Sequence, residues 1–471
     1  MRRSAVTGWA GLAVCLAMAG AGCAGKGAAP ADPRVEQTDR LVRQRFGRAL
    51  AELPTLRLSA ITPNNQNICD EFERAFSLHH ASEFGQKVRI DWRDVGGGST
   101  SILQYLRNVY ARSSTSELDV VWGGGDYNFR KMAGEKLLTP MRVPPEYRDN
   151  VPRVLGGVEM YDANGLWCGS AVSGFGFLYN RMLIEWAKIP PPRQWQDLGR
   201  PECFGQVLLA DPTQSGSAAT SYEMIVQSAP NWPAGWARLL AILGNARRLA
   251  DSAGQAANGP LLGETPIATC IDFYGAMRVA EAPEAMVYVS PKGQTAFNPD
   301  PIAILRNPPH PRLAQRFVDF VLSRAGQALW ALPARADDGP ARSELGRQPI
   351  RRDVYEHYAG RTLPWIVDPY AAGSEMRLDT AMLSLRLGVL RQLVRAAAAD
   401  NLPYLQAARR RLIETGFPPA RVADFNKLPE DVATVEGLRR VAGLLRDPTA
   451  AERIVTGWQR FFRDKYRRVA R

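Results

Sequence analysis

Short apolar runs alternate with amphipathic stretches from residue 55 to residue 306, and this alternation restricts the fold more than any other feature. Strands are predicted at 55–60 (TLRLSA), 87–92 (KVRIDW), 118–123 (LDVVWG), 206–211 (QVLLAD), 266–272 (PIATCID), 286–291 (MVYVSP) and 301–306 (PIAILR). Helical patterns such as NICDEFERAF and TSILQYLRNVYARS lie between them. Such a chain builds α/β layers around mainly parallel sheets, and ligands then collect where the carboxyl ends of strands lead into helices.

Three loops at such ends share one composition: SAITPNN after the first strand, GGGSTS after the second, and DPTQSGS after the fourth. Each sets small residues and hydroxyls beside a helix start, where unpaired N–H groups and the helix dipole favour an anion. In the third, Asp211-Pro212 stops the strand, because Pro offers no ladder donor. A plain helix cap explains each loop singly; three on one scaffold point to a polar or anionic ligand. The candidate contacts are Ser59, Thr62 and Asn64, then Gly98, Ser99 and Thr100, then Ser215, Gly216, Ser217 and Thr220.

At 471 residues the chain exceeds the size at which one core stops growing, so two or three units are expected. A hydrophobic fraction of 45% with 23% charged residues excludes a disordered or collagen-like chain. The formal charge of +12 is dispersed. Its densest patch, WQRFFRDKYRRVAR at the C-terminus, reads as the solvated face of a terminal helix, so no nucleic-acid partner is implied.

The N-terminal MRRSAVTGWAGLAVCLAMAGAGC has two Arg, a short apolar stretch and small residues before Cys23, the form of a secretory signal. Gly20-Ala21-Gly22-Cys23 resembles a bacterial lipobox without its usual Leu, which leaves simple secretion as the alternative to acylation of Cys23. The expectation is an exported protein, periplasmic or on the outer cell face, touching the membrane through a lipid anchor at Cys23. Cys69, Cys168, Cys203 and Cys270 are an even number in an oxidising compartment, compatible with disulfides of undefined pairing. No CxxC pair suggests zinc.

Enzyme signatures are sparse. The chain has no GxSxG, GxxxxGK[ST] or HExxH, and adjacent His79 and His80 face different sides of a helix. Glu71 and Glu73 read as solvated surface. No cofactor is implied, and an exported hydrolase of phosphate esters stands as the alternative class.

Five segments carry a resemblance: LDVVWGGGDYNFRKMAGEKLLTP, GLWCGSAVSGFGFLYNRML, PRQWQDLGRPECFGQVLLADPTQSGSAAT, PIATCIDFYGAMRV and AQRFVDFVLSRAGQALW. In order and spacing, over roughly residues 55 to 370, they resemble extracellular solute-binding proteins of ABC importers, in the group that takes ferric iron, phosphonates and organophosphates. The resemblance implies a type II periplasmic-binding fold, with two α/β lobes joined by crossing strands. A small-molecule or ion ligand would sit in the cleft of a monomer that delivers it to an ABC permease complex.

The implied organisation is a signal at 1–23, a tether and short helix at 24–50, lobe one at 51–165 and 290–375, and lobe two at 166–289. CGSAVSGFGFLYN would be the first crossing, with Gly174 and Gly176 allowing unusual backbone angles, and MVYVSPKGQTA the return. Residues 376–471 fall outside the resemblance. There Leu378, Met382, Leu385, Val389 and Leu393 form a helical stripe, read as helices packed on the core.

Ferric binders of the group use an adjacent tyrosine pair near a strand end in lobe two. Here that place reads Asp272-Phe273-Tyr274, with Tyr222 and Tyr161 as possible substitutes. Ser173, Asp272 and Tyr274 therefore join the ligand candidates. The hydroxyl-rich loops favour an organic oxyanion, a phosphonate or phosphate ester, over ferric iron.

Overall fold

The computed structural model describes residues 32–370 and 376–471. The signal segment, Cys23 and most of the tether lie outside the described residues. After the short helix α1 (Pro33–Phe46), strands β1 (Thr55–Ile61), β2 (Lys87–Arg93), β3 (Val120–Trp122), β4 (Leu138–Thr139) and β5 (Cys168–Ser173) contribute to a first, six-stranded sheet. A second sheet holds β6 (Phe175–Asn180), β7 (Val207–Ala210), β8 (Ala246–Ala250), β9 (Ile267–Ile271) and β10 (Met286–Val289). The chain then returns to the first sheet through β11 (Asn298–Leu305).

The strand order is β2-β1-β3-β11-β4 with β5 beside β11 in lobe one, and β8-β7-β9-β6-β10 in lobe two. β1 runs parallel to β2 and β3, and β7 runs parallel to β8 and β9. The other pairings are antiparallel, so the sheets are mixed rather than mainly parallel. The crossings impose this. A chain that leaves a sheet and comes back lays its returning strand against the outgoing one: β11 against β5, and β10 against β6. β4 and β8 had no predicted strand, and β5 and β6 were expected only as the first crossing that the resemblance implied.

The sheet changes at Gly174, between Ser173 of β5 and Phe175 of β6, not at residues 165–166 where the resemblance drew the lobe boundary. Neither Gly174 nor Gly176 has a positive φ. Space is the reason for Gly176: a Cβ there would lie 2.0 Å from the Val289 carbonyl oxygen on β10. The backbones meet too closely for any side chain.

Helices α2 (Gln66–Phe84), α3 (Ser99–Tyr110) and α4 (Asp126–Gly134) follow β1, β2 and β3 in lobe one. In lobe two, α5 (Gly216–Gln227) and α6 (Trp232–Gly244) follow β7, and α7 (Asp272–Glu281) follows β9. Lobe one is centred on aromatics, with the Phe72 ring 4.8 Å from Trp122 and 4.6 Å from Trp330. Glu71 is not solvated surface: it is buried, and its carboxylate accepts the backbone N–H groups of Ala341, Arg342 and Ser343. Glu73 is partly covered and accepts from Trp92 Nε1 at 3.0 Å.

Four helices of the extension, α8 (Thr380–Val394), α9 (Leu402–Glu414), α10 (Val435–Leu444) and α11 (Pro448–Ala470), cover lobe two, with α8 on α5 and α9 on α6. They answer a need of lobe two, because Ala218 to Val226 of α5 are buried on every side. The buried stripe of α8 is Leu383, Leu387, Leu390 and Val394, with Val389 and Leu393; Met382 and Leu385 are only half-buried. Asp379 caps the helix, so Leu378 precedes it. Arg386, inside that stripe, forms a buried ion pair with Glu223 of α5, its Nε 3.0 Å from Oε2.

The cationic C-terminus is solvated on one face only. Trp458, Phe462, Tyr466 and Val469 of α11 are buried, and Lys465 Nζ donates to the Phe425 and Lys427 carbonyls at 2.7 and 2.9 Å. Cys69, Cys168, Cys203 and Cys270 are all free and buried, so no disulfide forms among them. Burial raises the pKa of each thiol, which suits a small apolar core residue rather than a reactive one.

Candidate functional site: the interlobe cleft

A cavity of about 540 Å³ lies where the carboxyl ends of the two sheets face each other. Its walls are the loops that open α3, α4 and α5, joined by residues of both crossings. In lobe two the local chemistry is a turn followed by a cap. Asp211 Oδ1 accepts from the Thr213 amide and hydroxyl at 2.8 and 2.7 Å, which turns the chain after β7. Ser215 Oγ then accepts from the Ala218 amide at 3.3 Å, leaving the amides of Gly216 and Ser217 without an intrahelical acceptor.

Across the cleft, Gly98 precedes α3, so the amides of Ser99 and Thr100 hold the same position there. The two helix starts are close neighbours. A Cβ on Gly216 would lie 3.4 Å from Ser99 Oγ, and one on Gly98 would lie 3.7 Å from the Gln214 carbonyl oxygen. Ser99 Oγ itself accepts from Asn128 Nδ2 at 2.9 Å.

From lobe one and its crossing, Asn64, Gly98, Ser99, Thr100 and Ser173 line the cavity. From lobe two, Ser215, Gly216, Ser217, Thr220 and Tyr274 do so. Thr220 turns its hydroxyl back to the Gly216 carbonyl at 3.1 Å. Ser59, Thr62 and Asp272 are not among the lining residues. Ser59 is still within β1, its amide held by Asp119 Oδ2 at 2.9 Å, and Thr62 Oγ1 accepts from the Asn64 amide at 3.0 Å. Asp272 braces the crossing, accepting from the Gly174 and Phe273 amides at 2.7 and 2.8 Å. Burial lifts the pKa of this carboxyl to about 7, against the pull of the Gly174 N–H and of Arg347.

Two arginines of the cavity escaped the sequence reading. Arg347 is 3% exposed. Its Nη1 donates to Asn64 Oδ1 at 3.3 Å and its Nη2 to Ser173 Oγ at 3.2 Å, and the same guanidinium pairs with Asp300. It lies over the Phe273 ring, 4.6 Å from the centroid, and its Nε has no partner. Burial lowers the Arg347 pKa to about 10, which leaves it cationic at neutral pH. Asp300 is fixed in turn by the Gly124 and Gly125 amides, at 3.2 and 2.8 Å. Gly123, Gly124 and Gly125 all have positive φ, which is how WGGGD turns two successive amides onto one carboxylate. Arg347 sits in a Gly- and Pro-flanked segment without periodicity, so its sequence carries no site signal. Arg391 comes from α8, outside the stretch that carried the resemblance.

The substitutes for a second tyrosine do not reach the cavity. Tyr222 is fully buried and donates to the Ala210 carbonyl at 2.7 Å, and Tyr161 meets the Tyr147 ring edge to face. Among the described residues, no group of three or more His, Cys, Asp or Glu could hold a metal ion.

Two α/β lobes, two crossing segments and a polar cleft lined from both sides define a type II periplasmic-binding-protein fold. Residues 118–343, just under half of the chain, match the family model of the bacterial extracellular solute-binding proteins. The phosphoglycerate transport regulatory protein PgtC of Salmonella typhimurium is 34% identical over 161 residues, which is 34% of this chain and 40% of that relative. The chain thus matches less than half the length of that relative. The fold is similar to periplasmic binding protein AfuA of Actinobacillus pleuropneumoniae, solved with exogenous fructose-6-phosphate bound. There the TM-score is 0.56 at 18% identity, covering 76% of this chain and 98% of that one. It is also similar to iron-bound HitA of Pseudomonas aeruginosa, with a TM-score of 0.53 at 19% identity, covering 72% and 98%. At such identities these structures establish the fold and no more.

Proposed function

We propose that the protein is an exported solute-binding protein that captures a small organic oxyanion, a phosphate ester or phosphonate, in the interlobe cleft and delivers it to an ABC permease. The observation that carries this reading is the meeting of two helix starts, α3 from lobe one and α5 from lobe two, on one cavity that also holds buried Arg347 with a free Nε. Backbone N–H groups at paired helix starts, hydroxyls and a guanidinium form a donor set for phosphoryl oxygens. Ser99, Thr100, Gly216 and Ser217 supply the first contacts, with Asn64, Ser173 and Tyr274 beneath. Asn64 Nδ2 is buried without a partner, a donor that a ligand oxygen would satisfy.

A phosphorylated ligand also agrees with the printed names of the phosphoglycerate regulatory relative and of the fructose-6-phosphate complex. The ferric alternative has less support, since Phe273 stands beside Tyr274 and Tyr222 is bound elsewhere. The family is one of binding proteins, which favours capture over hydrolysis. Acylation at Cys23 would hold the monomer to the membrane, while the cleft itself uses no cofactor in this reading.

A thermal-shift screen tests the ligand class. At a hundredfold excess over its dissociation constant, the right ligand stabilises by about 2.7 kcal/mol. Phosphate esters or phosphonates should raise the melting midpoint and ferric citrate should not. The reverse pattern would sink the oxyanion reading.

A further inference from the structure

Two cavities of this molecule share a wall. Tyr127 of α4 and Arg391 of α8 line both the interlobe cleft and a second cavity, of about 780 Å³, that is bordered by α8, α10 and α11 of the extension. The start of α8 is tied to both lobes. The Leu378 amide donates to the Gly156 carbonyl of lobe one at 2.9 Å, and Asp379 and Gln227 of lobe two exchange hydrogen bonds of 2.8 and 3.1 Å. About three helical turns later this geometry sets Arg391 at the cleft.

The Arg391 guanidinium stands between the two helix starts. Its Nη1 is 3.5 Å from Thr100 Oγ1 on α3, and its Nη2 is 3.7 Å from the place a Cβ on Gly216 of α5 would take. Its Nε is buried without a partner, and its Cζ lies 5.4 Å from the Tyr127 ring centroid. Neighbouring cations are neutralised: Arg386 pairs with Glu223, Arg395 lies 3.6 Å from Asp400, and Arg347 pairs with Asp300. Among the described residues, Arg391 has no carboxylate within ion-pair distance. Of the carboxylates lining the cleft, Asp300 belongs to Arg347 and Asp126 to Arg130, and Asp251 is exposed to solvent. Beyond the paired Arg395, the second cavity adds Lys131 and Arg446 against the single carboxylate of Glu452. A partly buried guanidinium that lacks a counter-ion and faces two helix starts has the charge and geometry to hold an anion.

We infer that Arg391 completes the ligand site, so that the anionic head of the ligand docks between the α3 and α5 starts with this guanidinium as its main charge and the free Nε of Arg347 as the lesser donor. Arg347, already paired with Asp300, then positions the cleft floor, while the C-terminal extension acts as a third wall that selects for a charged head group. This rests on the oxyanion reading of the cleft. It makes a region outside the matched family segment part of the recognition surface.

The test is calorimetric titration of the full chain with three probes, 3-phosphoglycerate, fructose-6-phosphate and inorganic phosphate. Arg391→Gln should weaken the best-bound probe by roughly 10- to 100-fold. Arg391→Lys, which keeps the charge but loses the fork, should fall between Gln and wild type. The melting midpoint of ligand-free R391Q should match wild type, as a merely structural arginine would not allow. A wild-type dissociation constant in R391Q overturns the inference and leaves the oxyanion reading standing. Wild-type protein that binds none of the three probes overturns both. If R391Q melts early, R391K carries the test, and an unchanged constant there overturns the inference.

Discussion

Two serines on either side of Gly216, at the start of α5, do different work. Ser215 is the cap, bonded to the Ala218 amide, whereas Ser217 Oγ reaches only Ser215 Oγ, at 3.1 Å, from a position on the cavity wall. Ser215→Ala should therefore lower stability by about 1 kcal/mol. Ser217→Ala should leave stability nearly unchanged and weaken binding of a charged ligand by roughly 1.5–3 kcal/mol. Chemical denaturation and calorimetry of the two variants separate the effects. If both lose stability and keep affinity, the loop is a cap and nothing more. The sequence shows hydroxyls around Gly216, but which of them caps depends on where the helix starts, and that is set by the Asp211 turn. The same limit explains Ser59, since β1 runs to Ile61 and the loop composition began before the loop did; Thr62 lies past the strand, with its hydroxyl taken by the Asn64 amide.

At the scale of elements, the extension is joined to lobe two through Arg386 and Glu223, a charge pair with both members buried. Removing one partner leaves an uncompensated buried charge, so Arg386→Met should cost roughly 3–5 kcal/mol, while the double replacement Glu223→Met with Arg386→Met should recover most of that loss. Urea denaturation of both variants checks this, and a single mutant as stable as wild type would contradict the docking described for α8. The predicted strands at 55–60, 87–92, 206–211 and 286–291 stand within a residue or two of observed ones, because each is a short β-branched or aliphatic run closed by Pro, Gly or Asp. β5 and β6 were not legible as strands. The Gly, Ser and Ala of β5 have little β character, and Gly174 and Gly176 break up the strand-forming Phe175, Phe177 and Tyr179 of β6, so pairing with β11 and β10 is what completes the two strands. The stripe of α8 was read in part: Leu378, Val389 and Leu393 are buried as expected, but the face turned to the core is wider and carries Leu383, Leu387 and Leu390, with Met382 and Leu385 at its edge.

For the molecule as a whole, the loops opening α3 and α5 were readable because helix-start chemistry is local. Arg347 and Arg391 were not, because each reaches the cleft from a distant segment through tertiary packing alone. The lobes approach each other at Gly98 and Gln214, and α8 is anchored on both, so both lobes and Arg391 of α8 line the cavity. A ligand held there contacts groups that only this arrangement brings together, the basis on which a binding protein of this fold couples capture to closure. The most direct measurement is a co-crystal structure with the phosphate ester that gives the largest thermal shift. The account predicts phosphoryl oxygens within hydrogen-bond distance of the Ser99 and Ser217 amides, with groups from both lobes on the same phosphorus. A phosphoryl group bound elsewhere, or a metal ion coordinated by the Tyr274 phenolate in that cleft, would contradict it.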